Sequence, residues 1–144
     1  MANEEHFRKL ERMYAGAPIN EFYTPRLTVG EGVSELSMTV RREFFHAAPA
    51  VHGSVYFKAL DDAAWFSVNS LVEDVCVLTA SFNIHLLRPV SEGTITARGR
   101  VVNQTLRLFL AESELVDARG RQLARGSGSF MRSQIKLTAE VGYV

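Results

Sequence analysis

The sequence predicts an α+β domain in which a curved antiparallel sheet of five to six strands wraps around one long helix, and three observations predict it. One stretch, Ser54 to about Leu71, is free of Pro and Gly and sets Val55, Ala59, Ala63 and Phe66 at spacings of three and four, the period of a helix. Beyond it, four stretches alternate apolar and polar residues with period two, and turn residues divide them. The helical stretch also carries Ala59, Ala63, Ala64 and Ser67, small enough for a sheet to come close.

In chain order, residues 4–15 place Phe7, Leu10 and Tyr14 on one helical face before Gly16 and Pro18 stop the pattern. A short amphipathic helix is expected there, as a lid or flank. From Val33 to Phe44 the period changes to two, with Leu36, Met38 and Val40 on one face and Glu35, Ser37, Thr39 and Arg41 on the other, which predicts a half-buried strand. After Asp74, VCVLTASFNIHLL puts Leu78, Ala80, Phe82, Ile84 and Leu86 on one face, and Pro89 ends it. TITARGRVV, LRLFLAESELV and RQLARGSGSFM follow, divided at Val102-Asn103-Gln104 and at Asp117-Ala118-Arg119-Gly120, and predict an antiparallel meander. The sparse bulk of ARGSGSF suits a bend in the last strand. No repeat or linker interrupts residues 1–144, so one unit is expected, with its core at about 33–132.

Sixteen basic and sixteen acidic side chains cancel, and neither sign forms a long run, so no nucleic-acid or anionic-membrane partner is expected. The single cysteine, Cys76, excludes an internal disulfide and suits a reducing, cytoplasmic setting. The start, MANEEHFRKLERMY, lacks the apolar run of a signal peptide, and no segment approaches the roughly 20 apolar residues of a spanning helix. A soluble, unprocessed chain is expected. The four histidines, His6, His46, His52 and His85, follow no ligand spacing, so no metal is expected. No phosphate loop stands between a strand and a helix, and G-x-S-x-G is absent.

Chemistry concentrates in AVHGSVYFKALDDAAWF, residues 50–66, where two adjacent acids interrupt an apolar helix. At 100° per residue Asp61 shares a stripe with Ser54, Phe57, Trp65 and Val68, whereas Asp62 stands one turn from Lys58. Asp61 is therefore expected in drier surroundings, with a raised pKa, and Asp62 as an ordinary ion-paired acid. The amides near Gly53 and Ser54 open the helix, at the positive end of its dipole, where a developing oxyanion is stabilised.

The element order, the His52-Gly53 pair before the helix, the Leu60-Asp61 pair within it and SFNIHLLRPV in the next strand together resemble the hotdog-fold acyl-CoA thioesterases. The likeness is to their phenylacetyl-CoA (PaaI-like) branch and covers residues 33–132. It implies hydrolysis of an acyl-CoA to a free acid and CoA, with no cofactor beyond the CoA that enters with the substrate. Carried over by position, Asp61 is the general base or nucleophile, Gly53 an amide donor to the carbonyl, and Thr79 the holder of the attacking water. His52, Ser54, Phe57, Trp65 and Arg88 fall along the substrate, and Arg119, Arg121 and Arg125 are further candidates for its phosphates. Two positions depart from the pattern: Ser54 replaces a second glycine, and His46 stands where relatives carry Asn, which makes it a catalytic candidate whose imidazole could donate a hydrogen bond to the carbonyl or act as a second acid/base group.

Each residue also has a plainer reading. Asp61 could be a solvated helix acid, Thr79 a strand former, His52 a turn residue, His46 a loop residue and His85 a sheet-surface residue. The resemblance further implies a homodimer with a continuous sheet, often paired again into a tetramer, in which the His-Gly turn of one subunit faces the helix acid of the other. Two rival functions remain at this stage: a hotdog enoyl-CoA hydratase or dehydratase, and a non-catalytic acyl-binding dimer.

Overall fold

A computed structural model describes residues 3–144. The chain begins with α1 (Glu4–Ala15), where the Asn3 side chain accepts the His6 N–H as a cap and Glu4 and Glu5 complement the dipole. A four-residue helix, α2 (Asn20–Tyr23), leads into a hairpin of β1 (Arg26–Gly30) and β2 (Val33–Thr39). A 3-10 turn at Arg42–Phe44 precedes the long helix α3 (Gly53–Asn69), and four strands follow: β3 (Val75–Leu86), β4 (Thr94–Gln104), β5 (Phe109–Val116) and β6 (Gln122–Lys136). The six strands form one antiparallel sheet in the order β1-β2-β4-β5-β6-β3.

The α+β class, the long helix and the meander agree with the sequence. Some boundaries differ. The strand expected over Val33–Phe44 stops at Thr39, because Arg42–Phe44 turns to bring the chain toward the start of α3. The hairpin partner β1 and the helix α2 were not expected at all. Strand β4 runs on through the Val102-Asn103-Gln104 stretch read as a turn, and the chain reverses at Thr105–Leu108, where the Thr105 N–H donates to the Leu108 carbonyl at 2.7 Å.

Helix α3 lies on the inner face, packed on Leu36, Ile95, Ala97 and Leu115, all buried. A cross-strand row of small residues, Ser34, Gly99 and Ser113, runs beneath it. Ser34 Oγ donates to the Ala63 carbonyl at 2.6 Å, and Ser113 Oγ donates to the Leu60 carbonyl at 2.8 Å. A Cβ on Gly99 would sit 2.2 Å from the Ala63 oxygen, so at this point helix and sheet meet backbone to backbone. That contact sets the rotation of α3 about its axis. Leu60, Ala63 and Ala64 face the sheet, and the two acids are left on opposite flanks, one toward β3 and one toward α1.

The ends of α3 are tied down by side chains. Past its C-terminus, Asn69 Nδ2 donates to the Val72 and Val75 carbonyls and Asn69 Oδ1 accepts the Val77 N–H, which fixes where β3 starts. Buried His6 joins α1 to the same corner: its Nε2 faces the Asn69 carbonyl at 2.8 Å, so that nitrogen carries the proton and Nδ1 accepts from the Tyr143 hydroxyl at 2.7 Å. No helix among the described residues is long and apolar enough to cross a membrane.

Candidate active site

His52 is the N-cap of α3. Its Nδ1 accepts the Ser54 N–H at 3.0 Å and lies 2.8 Å from Ser54 Oγ, a role Ser, Thr, Asp or Asn more often fills. The neutral ring therefore carries its proton on Nε2. This corrects one expectation: the Ser54 amide is occupied by the imidazole and is not offered to a substrate. The Gly53 N–H has no partner among the described residues. His46 is exposed, with its Nδ1 accepting the Ala48 N–H at 3.0 Å, and its ring centroid is 6.5 Å from that of His52. Both histidines stand at the mouth of the helix.

Further along the helix, Asp61 is half-buried and points toward β3, where Thr79 Oγ1 donates to its Oδ1 at 2.8 Å. Burial pushes the Asp61 carboxyl up to about 6; the Thr79 hydrogen bond opposes that rise, Asp62 adds to it and Lys58 opposes it. Thr79 can face the helix only because of an irregularity in β3. The pairing of β3 with β6 shifts between Thr79 and Ser81, so Ala80 is an extra residue and the faces exchange there. Val77 and Thr79 point inward before the bulge, and Phe82 and Ile84 point inward after it. The expectation that Leu78, Ala80, Phe82, Ile84 and Leu86 share one face fails for this reason, and Leu78 is 50% exposed.

Asp62 differs from its neighbour less in burial than in company. Lys58 Nζ and the Tyr14 hydroxyl both donate to Asp62 Oδ2, each at 2.6 Å, and the ammonium lies over the rings of Tyr14 and Tyr23. The Tyr14 phenol is pushed well above its usual value, first by burial and then by the Asp62 carboxylate, so it stays a donor. The Lys58 pairing follows from helical spacing. The Tyr14 contact does not: its spacing marks only an apolar face, and nothing local shows that the hydroxyl reaches across 48 positions.

Phe57, 41% exposed, meets Phe82 edge to face at 5.6 Å between centroids beside the Asp61 flank. The Phe82 ring lies on Gly128 and Gly126, where a Cβ would come within 2.4 and 2.7 Å of it. The glycines of ARGSGSF thus make room for this ring. Trp65 is half-buried and stacks edgewise on Phe66. Arg88 is exposed beyond the end of β3, Arg121 pairs with Asp117 at 2.8 Å, and Arg125 and His85 face each other across strands on the outer side of the sheet, away from Asp61. That outer face also holds a broad depression, but its Glu35–Arg98 and Arg100–Glu112 pairs match their own charges. No cluster of potential metal ligands occurs among the described residues.

The structure thus brings Asp61, Thr79, Phe57 and Phe82 together, and His46, His52, Ser54 and Gly53 together, as two separate groups. Eight residues of helix at 1.5 Å each put about 12 Å between Gly53 and Asp61 along the axis.

Comparison with known proteins gives a consistent result. The model of the thioesterase superfamily matches residues 48–124, just over half of the chain. A Saccharolobus solfataricus protein named "Putative esterase" is 22% identical over 139 residues, covering 96% of both chains. Among solved structures, the PaaI protein of E. coli, from the phenylacetic acid degradation operon, superposes with a TM-score of 0.86 at 21% identity, covering 96% of this chain and all of that one. A thioesterase family protein from Silicibacter pomeroyi reaches 0.80 at 26% identity, covering 88% of this chain and 96% of that one. The architecture is the hotdog fold.

Proposed function

Because the chain belongs to the thioesterase superfamily, we propose that it hydrolyses acyl-CoA thioesters, with Asp61 as the general base that activates water. The observation that carries this reading is the Asp61 carboxylate itself. It is half-buried, fixed at one oxygen by Thr79 with the other oxygen left for water, and its pKa of about 6 keeps it ionised yet basic near neutral pH. Water attacks the thioester carbonyl and gives its proton to Asp61. The oxyanion forms against the Gly53 N–H at the helix N-terminus, and collapse expels the CoA thiolate. In this reading the Phe57–Phe82 pair supplies an apolar wall for the acyl group, and Arg88, which is exposed, is the cation assigned to the coenzyme.

The 12 Å between Gly53 and Asp61 is too far for one carbonyl to touch both. The reading therefore includes a second copy, paired so that Gly53 of each chain approaches Asp61 of the other. The long edge strand β3, bordered by exposed Leu78, Leu86 and Leu87, is the surface for that pairing.

CoA release from a panel of acyl-CoAs, followed with a thiol reagent, tests the chemistry. Asp61→Asn is expected to lower kcat by about 10²–10⁴, while His85→Gln on the outer face leaves it unchanged. A second arm tests the shared site. Gly53→Pro removes the amide donor at a helix position that tolerates proline, and co-expression with Asp61→Asn is expected to recover activity in mixed dimers, which hold one intact site. No CoA release from any member of the panel sinks the hydrolase reading, and no recovery in mixed dimers sinks the shared site.

A further inference from the structure

We infer that Asp62 is a positioning residue for Asp61: together with Tyr14 it holds the Lys58 ammonium on the α1 side of the helix and so keeps that cation from pairing with the catalytic carboxylate beside it. The inference rests on the reading of Asp61 given above. Lys58 precedes Asp61 by three residues and Asp62 by four, and on a helix both spacings bring a lysine within reach of the acid. The structure shows which one it takes. Lys58 Nζ is 2.6 Å from Asp62 Oδ2, its charge sits 5.1 Å above the Tyr14 ring and 5.0 Å above the Tyr23 ring, and the Tyr14 hydroxyl holds the same carboxylate oxygen from the other side. The Lys58 and Asp62 side chains are only 11% and 20% exposed.

Desolvation offsets most of the attraction in a pair buried this far, so stability alone is a weak reason for it. Its geometry has a clearer consequence. The Lys58 stem fastens α1 and α2 onto α3, and Asp62 makes that fastening compatible with a base one residue away. The charged and titratable groups around Asp61 are Asp62 and Lys58 on its own helix and the Tyr14 phenol on α1, while β3 presents the neutral Thr79 hydroxyl. Without Asp62, Lys58 is the cation nearest to Asp61. An ammonium turned onto that carboxylate stabilises its charged form and makes it a poorer base.

The test follows the Asp61 carboxyl through a ¹³C NMR titration in the wild type, Asp62→Asn, Lys58→Met and the double variant, alongside pH profiles of kcat/KM for CoA release. The expected order of Asp61 midpoints is Asp62→Asn lowest, the wild type and the double variant near 6, and Lys58→Met highest. Activity at neutral pH is expected to fall about tenfold in Asp62→Asn, as a weakened base gives, and to return in large part when Lys58→Met is added. Removing Lys58 also relieves an ammonium that Asp62→Asn leaves buried and unpaired, so the midpoints carry the decision: a cation that turns onto Asp61 makes Asp62→Asn lower the midpoint more when Lys58 is present than when Lys58→Met has removed it, and equal shifts in the two backgrounds overturn the inference. An unmoved midpoint in Asp62→Asn, or a double variant no better than that single one, overturns the inference. Should Asp62→Asn not fold, Lys58→Met and the double variant still decide: with the lysine gone Asp62 has no cation to hold, so similar CoA release by the two supports the inference and a far less active double variant overturns it. The titration needs no substrate: ordered midpoints without CoA release overturn only the hydrolase reading, and CoA release with unmoved midpoints overturns only the positioning role.

Discussion

The two flanks of α3 treat adjacent carboxylates in opposite ways. On the β3 side Asp61 has one neutral donor, Thr79, and among the described residues no cation within bonding distance, so burial raises its pKa. On the α1 side Asp62 has an ammonium, a phenol and two aromatic faces that steady the ammonium. Neither acid is fully buried, so the difference lies in what each flank packs against the helix. A half-buried acid without a cation is held at some cost to the fold, as the proposed base requires; one held by a cation and a phenol is part of the scaffold. The row Ser34, Gly99 and Ser113 makes both possible, because it fixes the rotation that sends one acid each way.

Breaking that rotation has the largest expected effect. Gly99→Ala places a methyl group 2.2 Å from a helix carbonyl oxygen, and neither backbone can yield cheaply. Thermal or urea unfolding is expected to show a loss of about 3 kcal/mol or more, the upper end for overpacking, with both flanks disturbed together. Next is Tyr14→Phe, which removes one donor from Asp62 and leaves the Lys58 pair. The loss expected by urea unfolding is about 2 kcal/mol, with CoA release reduced less than by any change at Asp61. Asp61→Asn acts in the opposite direction. The folded chain holds the Asp61 proton up to about pH 6, while the unfolded chain releases it near the ordinary value of 3.8. Wild-type stability therefore falls as pH rises through that window and stays lower above it. Asn does not ionise, so the variant is expected to be the more stable protein above pH 6, by about 1–2 kcal/mol once solvent screening in the open crevice is allowed for, with the advantage gone below about pH 4.

Much of this was legible in the sequence, and the gaps have physical causes. Helix α3 and the strands β4, β5 and β6 were readable because their periodicity runs over 8 to 17 residues. The five residues of β1 give too short a pattern to distinguish a strand from a loop. The inward face of β3 was misread because a bulge depends on pairing with β6, which no local alternation reports. Asp61 and the Lys58–Asp62 pair could be found from helical spacing. Tyr14, Ser34 and Ser113 could not, since each acts by reaching a partner on a distant segment. For His46 and Arg88, the structure adds their exposure and no partner that fixes a role.

Thr79 offers the smallest change and the finest test of the β3 flank. Threonine is a good strand former in its own right, so its presence opposite Asp61 has two explanations, and Thr79→Val separates them. Valine keeps the branched shape and the strand preference while removing the one hydrogen bond to the carboxylate. That bond holds the Asp61 pKa down against burial. Without it the acid limb of the kcat/KM profile is expected to move upward from about pH 6, by up to about one unit, the worth of a hydrogen bond to a charged group at a wet crevice. Activity then falls several-fold at pH 6 and much less at pH 8, where the carboxylate is ionised in both proteins, while stability at pH 8 drops by up to about 1.4 kcal/mol, the linked worth of one pKa unit, and changes less below about pH 4. A limb that stays in place leaves Thr79 as a strand residue and shifts the whole control of Asp61 to the opposite flank, where Asp62 and Lys58 stand.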